Sequence, residues 1–401
     1  MTGLSIAVPF VALLLRCIAY YTLKHRIEPF MYEYYLFSLW SYILFLEAVL
    51  SFSPRRFLVL TAKLPYWIVM SCAFWCLFEL INLRLANWFY INMPIPVWIR
   101  YPGYLLAYGT VIPGIYLTKE LLSEAVKRLP VKPITVPRSY PALAISSGFV
   151  LLTLALAFPV YCFALAWAFL ALIMDGWNYA KGHRSFMGEV EKGQAGGLVT
   201  TLLAGLICGF LWEFWNWNAI SKWVYTVPYF DKTKLFEMPL MGYLGFAVFA
   251  LATVAFVTFM KEGGLLDRYR IPALIIALAV SAASFLAIDR QTIFSYVTPI
   301  EEMSVIAPET RSALQSGGIR TIYGIKDLTV FEKNQRDLVM LMELKGLGYE
   351  NTLKLSRAGI HDMAGLAALT PQELAAILAE TNLRRTGVYI RAARGTMQDL
   401  S

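Results

Sequence analysis

The sequence predicts an all-α fold: a polytopic membrane helical bundle of about nine spans, followed by a small soluble helical domain. Of the 401 residues, 58% are hydrophobic and only 15% are charged, whereas soluble domains are about a quarter charged. The apolar residues are also gathered into runs close to the roughly 20 residues that a helix needs to cross a bilayer. Beyond about residue 290 the composition changes to short amphipathic stretches.

The runs are 5–23, 31–51, 64–83, 101–121, 142–158, 159–177, 196–218, 239–260 and 271–289. The first carries Arg16 in its middle, with no basic segment before it and no small-x-small site after it, which argues against a cleaved signal peptide. Phe158-Pro159 divides a stretch too long for one span, because proline lacks the N–H that a continuing helix needs. Cys17, Cys72, Cys76, Cys162 and Cys208 all fall in predicted spans, and His25, His183 and His361 are scattered. Neither a disulfide framework nor a metal site is expected, and no motif for a cofactor is present.

From residue 289 onward, thirteen basic and thirteen acidic residues balance, so the net charge of +8 belongs to the membrane part. That is the pattern of loops beside anionic lipid, not of a nucleic-acid surface. Loops after even-numbered spans hold fourteen Lys/Arg, among them Arg55, Arg56 and Lys127; those after odd-numbered spans hold seven, including Lys232. The positive-inside rule then predicts a multi-pass protein of the cell membrane, its N-terminus in the cytoplasm and its tail on the other side.

Spans one to four can be laid over spans five to eight. Trp40 and Glu47 correspond to Trp167 and Asp175, and the basic loop Ser53-Pro54-Arg55-Arg56-Phe57 to Gly182-His183-Arg184-Ser185-Phe186. Phe78-Glu79-Leu80-Ile81-Asn82 matches Trp212-Glu213-Phe214-Trp215-Asn216, and a Trp-x-Tyr follows each: Trp88-Phe89-Tyr90 and Trp223-Val224-Tyr225. Residues 1–138 and 139–262 thus read as parallel four-span repeats, which would be related by an axis along the membrane normal. A ninth span and linker occupy 263–300, and the helical domain 301–401.

Glu79 and Asn82 share a helical face, as do Glu213 and Asn216, because residues three apart are neighbours on a helix. An acid at mid-bilayer costs roughly 2.5–3.5 kcal/mol on insertion scales, so each must be paired, protonated or wet. The functional reading is an aromatic-walled cavity between the repeats. Glu79 and Glu213 would be its proton carriers or ligand anchors. Asn82, Asn216, Trp212, Trp215, Trp223, Tyr225, Trp88, Tyr90, Asp175 and Glu47 would surround the ligand. The structural reading, equally open, is a hydrogen-bond network that locks helix register.

The run Trp223-Val224-Tyr225, then Leu235-Phe236-Glu237-Met238-Pro239-Leu240 before an aromatic-rich span, faintly resembles the membrane-embedded lycopene cyclases. In that family the resemblance implies an acid beside the proline that protonates a polyene. Here Leu240-Met241 stand where the family has its paired acids, and the nearest acid is Glu237. In the tail, Leu344-Lys345-Gly346-Leu347-Gly348-Tyr349 with Ala358-Gly359-Ile360, and Leu314-Gln315-Ser316-Gly317-Gly318-Ile319 41 residues earlier, resemble a tandem helix-hairpin-helix domain. The resemblance implies that Gly346 and Gly348 form a phosphate or partner loop, whose exposed N–H groups could hold an anion. Thr370-Pro371-Gln372-Glu373 reads as a helix N-cap and first turn.

Three functions are compatible with these features. The leading one is a binder or modifier of a membrane lipid or isoprenoid at the cavity; whether it is an enzyme stays open. The others are a secondary transporter or channel, and a membrane-anchored scaffold. For the electroneutral tail a protein partner is expected ahead of nucleic acid.

Overall fold

A computed structural model describes residues 3–52, 57–126, 128–229 and 233–399. Arg55, Arg56, Lys127 and Lys232, counted above among the loop charges, lie outside the described residues, as do Ser53 and Pro54. The protein is all-α, with eight helices long and apolar enough to cross a membrane among the described residues. The only strands there are two short ribbons.

The chain opens with α1 (Gly3–Lys24), α2 (Tyr34–Ser51) and α3 (Leu64–Leu85), then β1 (Trp88–Ile91). The run 101–121, predicted as one span, is two helices: α4 (Val97–Tyr108) and α5 (Val111–Ala125). Pro113 lacks the N–H that would bond back to Gly109, so the ladder breaks here. Ser71 mends the break from α3: its hydroxyl donates to Tyr108 O (2.7 Å) and accepts from Ile112 N (3.0 Å). The broken pair still carries the chain from one end of the bundle to the other.

The second half runs α6 (Tyr140–Ala157), the short α7 (Pro159–Cys162), α8 (Phe169–Ala180), α9 (Phe186–Glu191) and α10 (Gly196–Asn218). The turn falls at Phe158-Pro159, where the sequence places it. Then come β2 (Lys222–Tyr225), the small ribbon β3 (Lys234–Leu235) and β4 (Met238–Pro239), α11 (Tyr243–Glu262) and α12 (Arg270–Gln291). Within the bundle α1 lies along α2, α3 along α12, α6 along α8, and α10 against both α5 and α11. Large apolar side chains such as Phe10, Leu13, Phe149, Ile271 and Ile275 face outward, which suits hydrocarbon and not water.

The tail comprises α13 (Pro308–Ser316), α14 (Lys333–Glu343), α15 (Tyr349–Arg357), α16 (Met363–Ala368), α17 (Pro371–Leu378) and α18 (Leu383–Asp399). Thr370 caps α17 as expected: its hydroxyl accepts from Glu373 N, and the Glu373 carboxylate accepts from Thr370 N, a capping box. The tail is docked on the end of the bundle where α3 and α12 finish. The residues after α12, expected to be a linker, run beside β1 instead: Tyr90 N donates to Thr292 O (2.8 Å), Phe294 N to Tyr90 O (2.8 Å) and Val297 N to Met93 O (3.0 Å). Glu28 accepts from Arg320 N (2.7 Å) and from the Thr321 hydroxyl, and Arg26 donates to Ile325 O, tying the α1–α2 turn to the same domain.

Between bundle and tail lies the ribbon of β1 and β2, antiparallel with Trp88 opposite Tyr225 and Tyr90 opposite Trp223. Alternate residues of a strand point to opposite faces. Trp88, Tyr90 and Tyr225 join the membrane core, while Phe89, Ile91 and Val224 join the core of the tail. Phe89 packs against Phe294 and Tyr389, at ring-centroid separations of 5.5 and 6.3 Å.

The glycine loop expected to be open for phosphate is buried against this ribbon. A Cβ on Gly346 would lie 2.7 Å from Ile91 Cδ1, and one on Gly348 would lie 2.7 Å from Ser295 Cβ. Both glycines have positive φ, 62° and 80°. On this side the loop therefore packs on the chain's own membrane part, at Ile91 and Ser295.

Gly346→Ala should weaken docking of the tail, since a left-handed backbone for a non-glycine residue costs about 1–3 kcal/mol before the clash with Ile91 is counted. Trypsin cleavage between Arg290 and Arg320 in the detergent-solubilised protein should speed up about tenfold, 1.4 kcal/mol being a factor of ten. Cleavage at the wild-type rate would refute the docking role of this loop.

Candidate functional site between the two halves

The site is built on two helix ends. α3 carries Glu79 and Asn82, and α10 carries Glu213 and Asn216, all fully buried. Each asparagine turns to the strand that follows its helix. Asn82 Nδ2 donates to Trp88 O (2.9 Å), and its Oδ1 accepts from Asn87 N (2.8 Å) and Trp88 N (3.3 Å). Asn216 does the same at the other strand: Nδ2 donates to Trp223 O (3.0 Å) and Oδ1 accepts from Trp223 N (3.0 Å). Both asparagines, expected as ligand contacts, are backbone clamps. They take up main-chain groups that would otherwise be buried without partners.

With the strands so placed, each Trp-x-Tyr folds back over its acid. Glu79 accepts from Trp75 Nε1 (2.8 Å), Trp88 Nε1 (3.2 Å) and the Tyr90 hydroxyl (2.5 Å), and Tyr108 in turn donates to the Tyr90 hydroxyl (2.9 Å). Glu213 accepts from the Tyr225 hydroxyl (2.7 Å). Its second oxygen and the Trp223 indole N–H, both buried, have no partner among the described residues. Burial, with the acid beside each, pushes the Tyr90 and Tyr225 phenols well above their ordinary pKa. Each stays protonated and donates.

These aromatic residues wall one cavity of about 150 Å³. Its lining combines Trp75, Trp88, Tyr90, Tyr104 and Tyr108 from the first half with Trp167, Trp212, Trp223, Tyr225 and Phe246 from the second. An apolar void of such a size holds a ligand as large as benzene, and Tyr35 and Leu36 of α2 complete its lining. Neither carboxylate lines it. Glu79 and Glu213 stand one layer behind the wall and reach it through Tyr90 and Tyr225.

Of the other expected residues, Trp212, Trp223, Tyr225, Trp88 and Tyr90 line the cavity, and Trp215 does not; it packs edge-on to Tyr42 at 5.8 Å. Glu47 and Asp175 sit at the far end of the bundle. Glu47 accepts from Leu58, Val59 and Leu60 N, and Asp175 from Phe186 N, Met187 N and the Tyr140 hydroxyl. Each folds the loop after its helix. Sequence reasoning missed Tyr104 and Tyr108, although Tyr101, Tyr104 and Tyr108 follow the i, i+3, i+7 spacing of one helical face. Among the described residues Arg16 meets no acid, and it donates to Ser38 Oγ (2.8 Å).

Ion pairs frame the tail end of the cavity. Arg100 grips Asp289 with Nε (2.9 Å) and Nη2 (2.5 Å), fixing α4 to the end of α12. Glu237, in the turn of the β3–β4 ribbon, sits between Lys222 (3.3 Å) and Lys345 of the tail (2.8 Å). Burial opposes the Glu237 charge, but the two lysines outweigh it and hold its pKa below the ordinary carboxylate value. Burial lowers the Lys222 pKa, with Lys345 adding to that and Glu237 opposing it. Among the described residues, no cluster of His, Cys, Asp and Glu could hold a metal ion. Comparison of the chain with protein families, curated proteins and solved structures finds no match.

Because the Glu237 pKa is depressed by folding, its contribution to docking is complete above about pH 4.3, the unfolded value, and is lost as pH falls through the lowered folded value. Lys222 acts the other way: its cost persists at neutral pH and is relieved only as pH rises through its own lowered value. The hydrogen-exchange protection of α15, relative to the intrinsic rate at each pH, should therefore fall on acidification in wild type. In Glu237→Gln it should be lower at neutral pH and show less of the acid-side change. Matching profiles for the two proteins would refute the bridge.

Proposed function

We propose that the chain binds an apolar lipid or isoprenoid in the cavity between its halves and presents two acid-backed phenols to it, Tyr90 and Tyr225. One observation carries this reading: aromatic side chains of both halves wall a single cavity, and each buried acid hydrogen-bonds a tyrosine of that wall. Indole and phenol faces favour an apolar ligand and can shelter positive charge. A hydroxyl tied to a buried carboxylate is suited to orient one polar group or to pass a proton.

The two acids differ in a way that assigns them separate parts. Glu79 is surrounded by three donors and serves as a fixed acceptor. Glu213 is held by one well-formed hydrogen bond, from Tyr225, with its second oxygen and the Trp223 indole N–H unsatisfied among the described residues, and it is the acid suited to exchange a proton with the wall through Tyr225. Repetition of the clamp, acid and phenol in both halves supports an origin by duplication of a four-span unit. The excess of basic residues in the loops at the far end supports a cytoplasmic N-terminus, with cavity and tail at the opposite face. The tail reads as a cap on this end of the bundle.

Mass spectrometry of the purified protein should reveal a co-purified apolar lipid, with affinity about thirtyfold lower in Tyr90→Phe/Tyr225→Phe, as expected for two hydrogen bonds of about 1 kcal/mol each. Glu213→Gln should lower occupancy with little effect on the melting temperature, whereas Glu79→Gln should destabilise the fold by about 1–3 kcal/mol. Undiminished lipid in Glu79→Gln, Glu213→Gln and the double tyrosine variant, or no lipid in wild type and no labelling by a photoactivatable isoprenoid, would sink the reading.

A further inference from the structure

A second, larger cavity of about 440 Å³ lies between the bundle and the tail. It is lined by the last residues of α3, α12 and α17 and by the first turn of α18, and Trp88 separates it from the aromatic cavity. Three helix C-termini meeting in one place would make it acceptor-rich, because the last carbonyls of a helix lack partners and carry negative partial charge. Basic side chains of the chain itself already take one or two of those acceptors at each helix end. Arg384 Nη2 donates to Leu85 O (2.7 Å) and Ala86 O (3.2 Å), Lys354 Nζ to Leu378 O (3.1 Å) and Arg385 Nη2 to Gln291 O (3.3 Å). The acid there, Glu380, accepts from Arg385 Nη1 (2.7 Å) and Asn382 N (2.9 Å).

What is left over is donors. Arg385 is only 8% exposed, yet its Nε has no partner among the described residues, and neither do Asn382 Nδ2 and Arg384 Nη1. Arg290 lines the same cavity with no hydrogen bond or ion pair to a described residue. Buried donors without acceptors are rare and demand an explanation, and here three fall within Asn382–Arg385, of which Asn382 and Arg385 line the cavity. A neutral ligand would leave the surplus positive charge unmatched; a planar or tetrahedral oxyanion would accept from several of these groups at once, the recognition in which arginine excels.

We propose that this cavity is a binding site for a phosphate group, held by Arg385 and Arg290 with Asn382 and Lys354 beside them. The phosphate is that of an anionic lipid headgroup or of a soluble phosphate ester; the site lies at the level where α3 and α12 leave the bundle, within reach of either. The proposal does not depend on what fills the aromatic cavity.

The test uses the full chain in detergent, with two probes. Isothermal titration with inorganic phosphate reports the soluble source; native mass spectrometry with added phosphatidylglycerol, against phosphatidylcholine, reports the lipid source. At least one probe should bind, and Arg290→Gln should weaken it about tenfold, the loss of one charge-assisted hydrogen bond. Arg290 is exposed and bonded to nothing described, so this variant keeps the fold, and an unchanged melting temperature checks that it does. Lys326→Gln, which removes an exposed charge elsewhere on the tail, should leave binding unchanged. Failure of both probes to bind, or equal weakening by Arg290→Gln and Lys326→Gln, would overturn the proposal.

Discussion

The arrangement depends on one constraint: main-chain groups that leave a helix at the edge of a membrane bundle still need partners when protein covers them. The segments after α3 and α10 are both covered by the tail. They satisfy each other, β1 against β2, and the asparagines at the two helix ends take the groups the ribbon cannot reach. From this pairing follow the positions of Trp88, Tyr90, Trp223 and Tyr225, and so the aromatic wall. The other side of the same ribbon supplies Phe89, Ile91 and Val224 to the tail's core. A four-residue ribbon thereby belongs to two hydrophobic cores at once, and neither core is complete without it.

Much of this was legible in the sequence. The long apolar runs gave the bundle, and the recurrence of Glu-x-x-Asn and Trp-x-Tyr pointed to the residues around which the cavity forms. The period of two in Trp-x-Tyr was also visible. What could not be read was that two such triplets, about 135 residues apart, pair with each other, because strand pairing is set by tertiary proximity and leaves no local mark. The same limit explains Asn82 and Asn216. Their spacing from the acids is a helical fact, whereas their turn toward the strand backbone follows from where the chain goes next. Gly346 and Gly348, read as a phosphate or partner loop, meet a related limit. Glycine marks close backbone approach and positive φ equally well for an anion and for a neighbouring side chain, and only the fold shows that Ile91 and Ser295 are what approach.

The break between α4 and α5 shows how the bundle tolerates an interruption. Pro113 removes one donor, and the hydroxyl of Ser71 bridges the gap by both donating and accepting. In hydrocarbon, where no water can stand in, a side chain with both capacities is the economical repair. Glu47 and Asp175 do comparable work at the far end, gathering loop N–H groups. Acids within an apolar helix thus carry two different meanings in one protein. At the far end they terminate loops, and at the cavity they stand behind phenols.

The ribbon also limits how the two loops can change length. Side chains alternate strictly along a strand, so a shift of one residue exchanges its two faces. A single insertion after Trp88 within the strand would swing Phe89 and Ile91 toward the cavity and turn Tyr90 into the tail. Length variation among descendants of this chain is therefore confined to residues outside these pairings, or must come within the ribbon in steps of two.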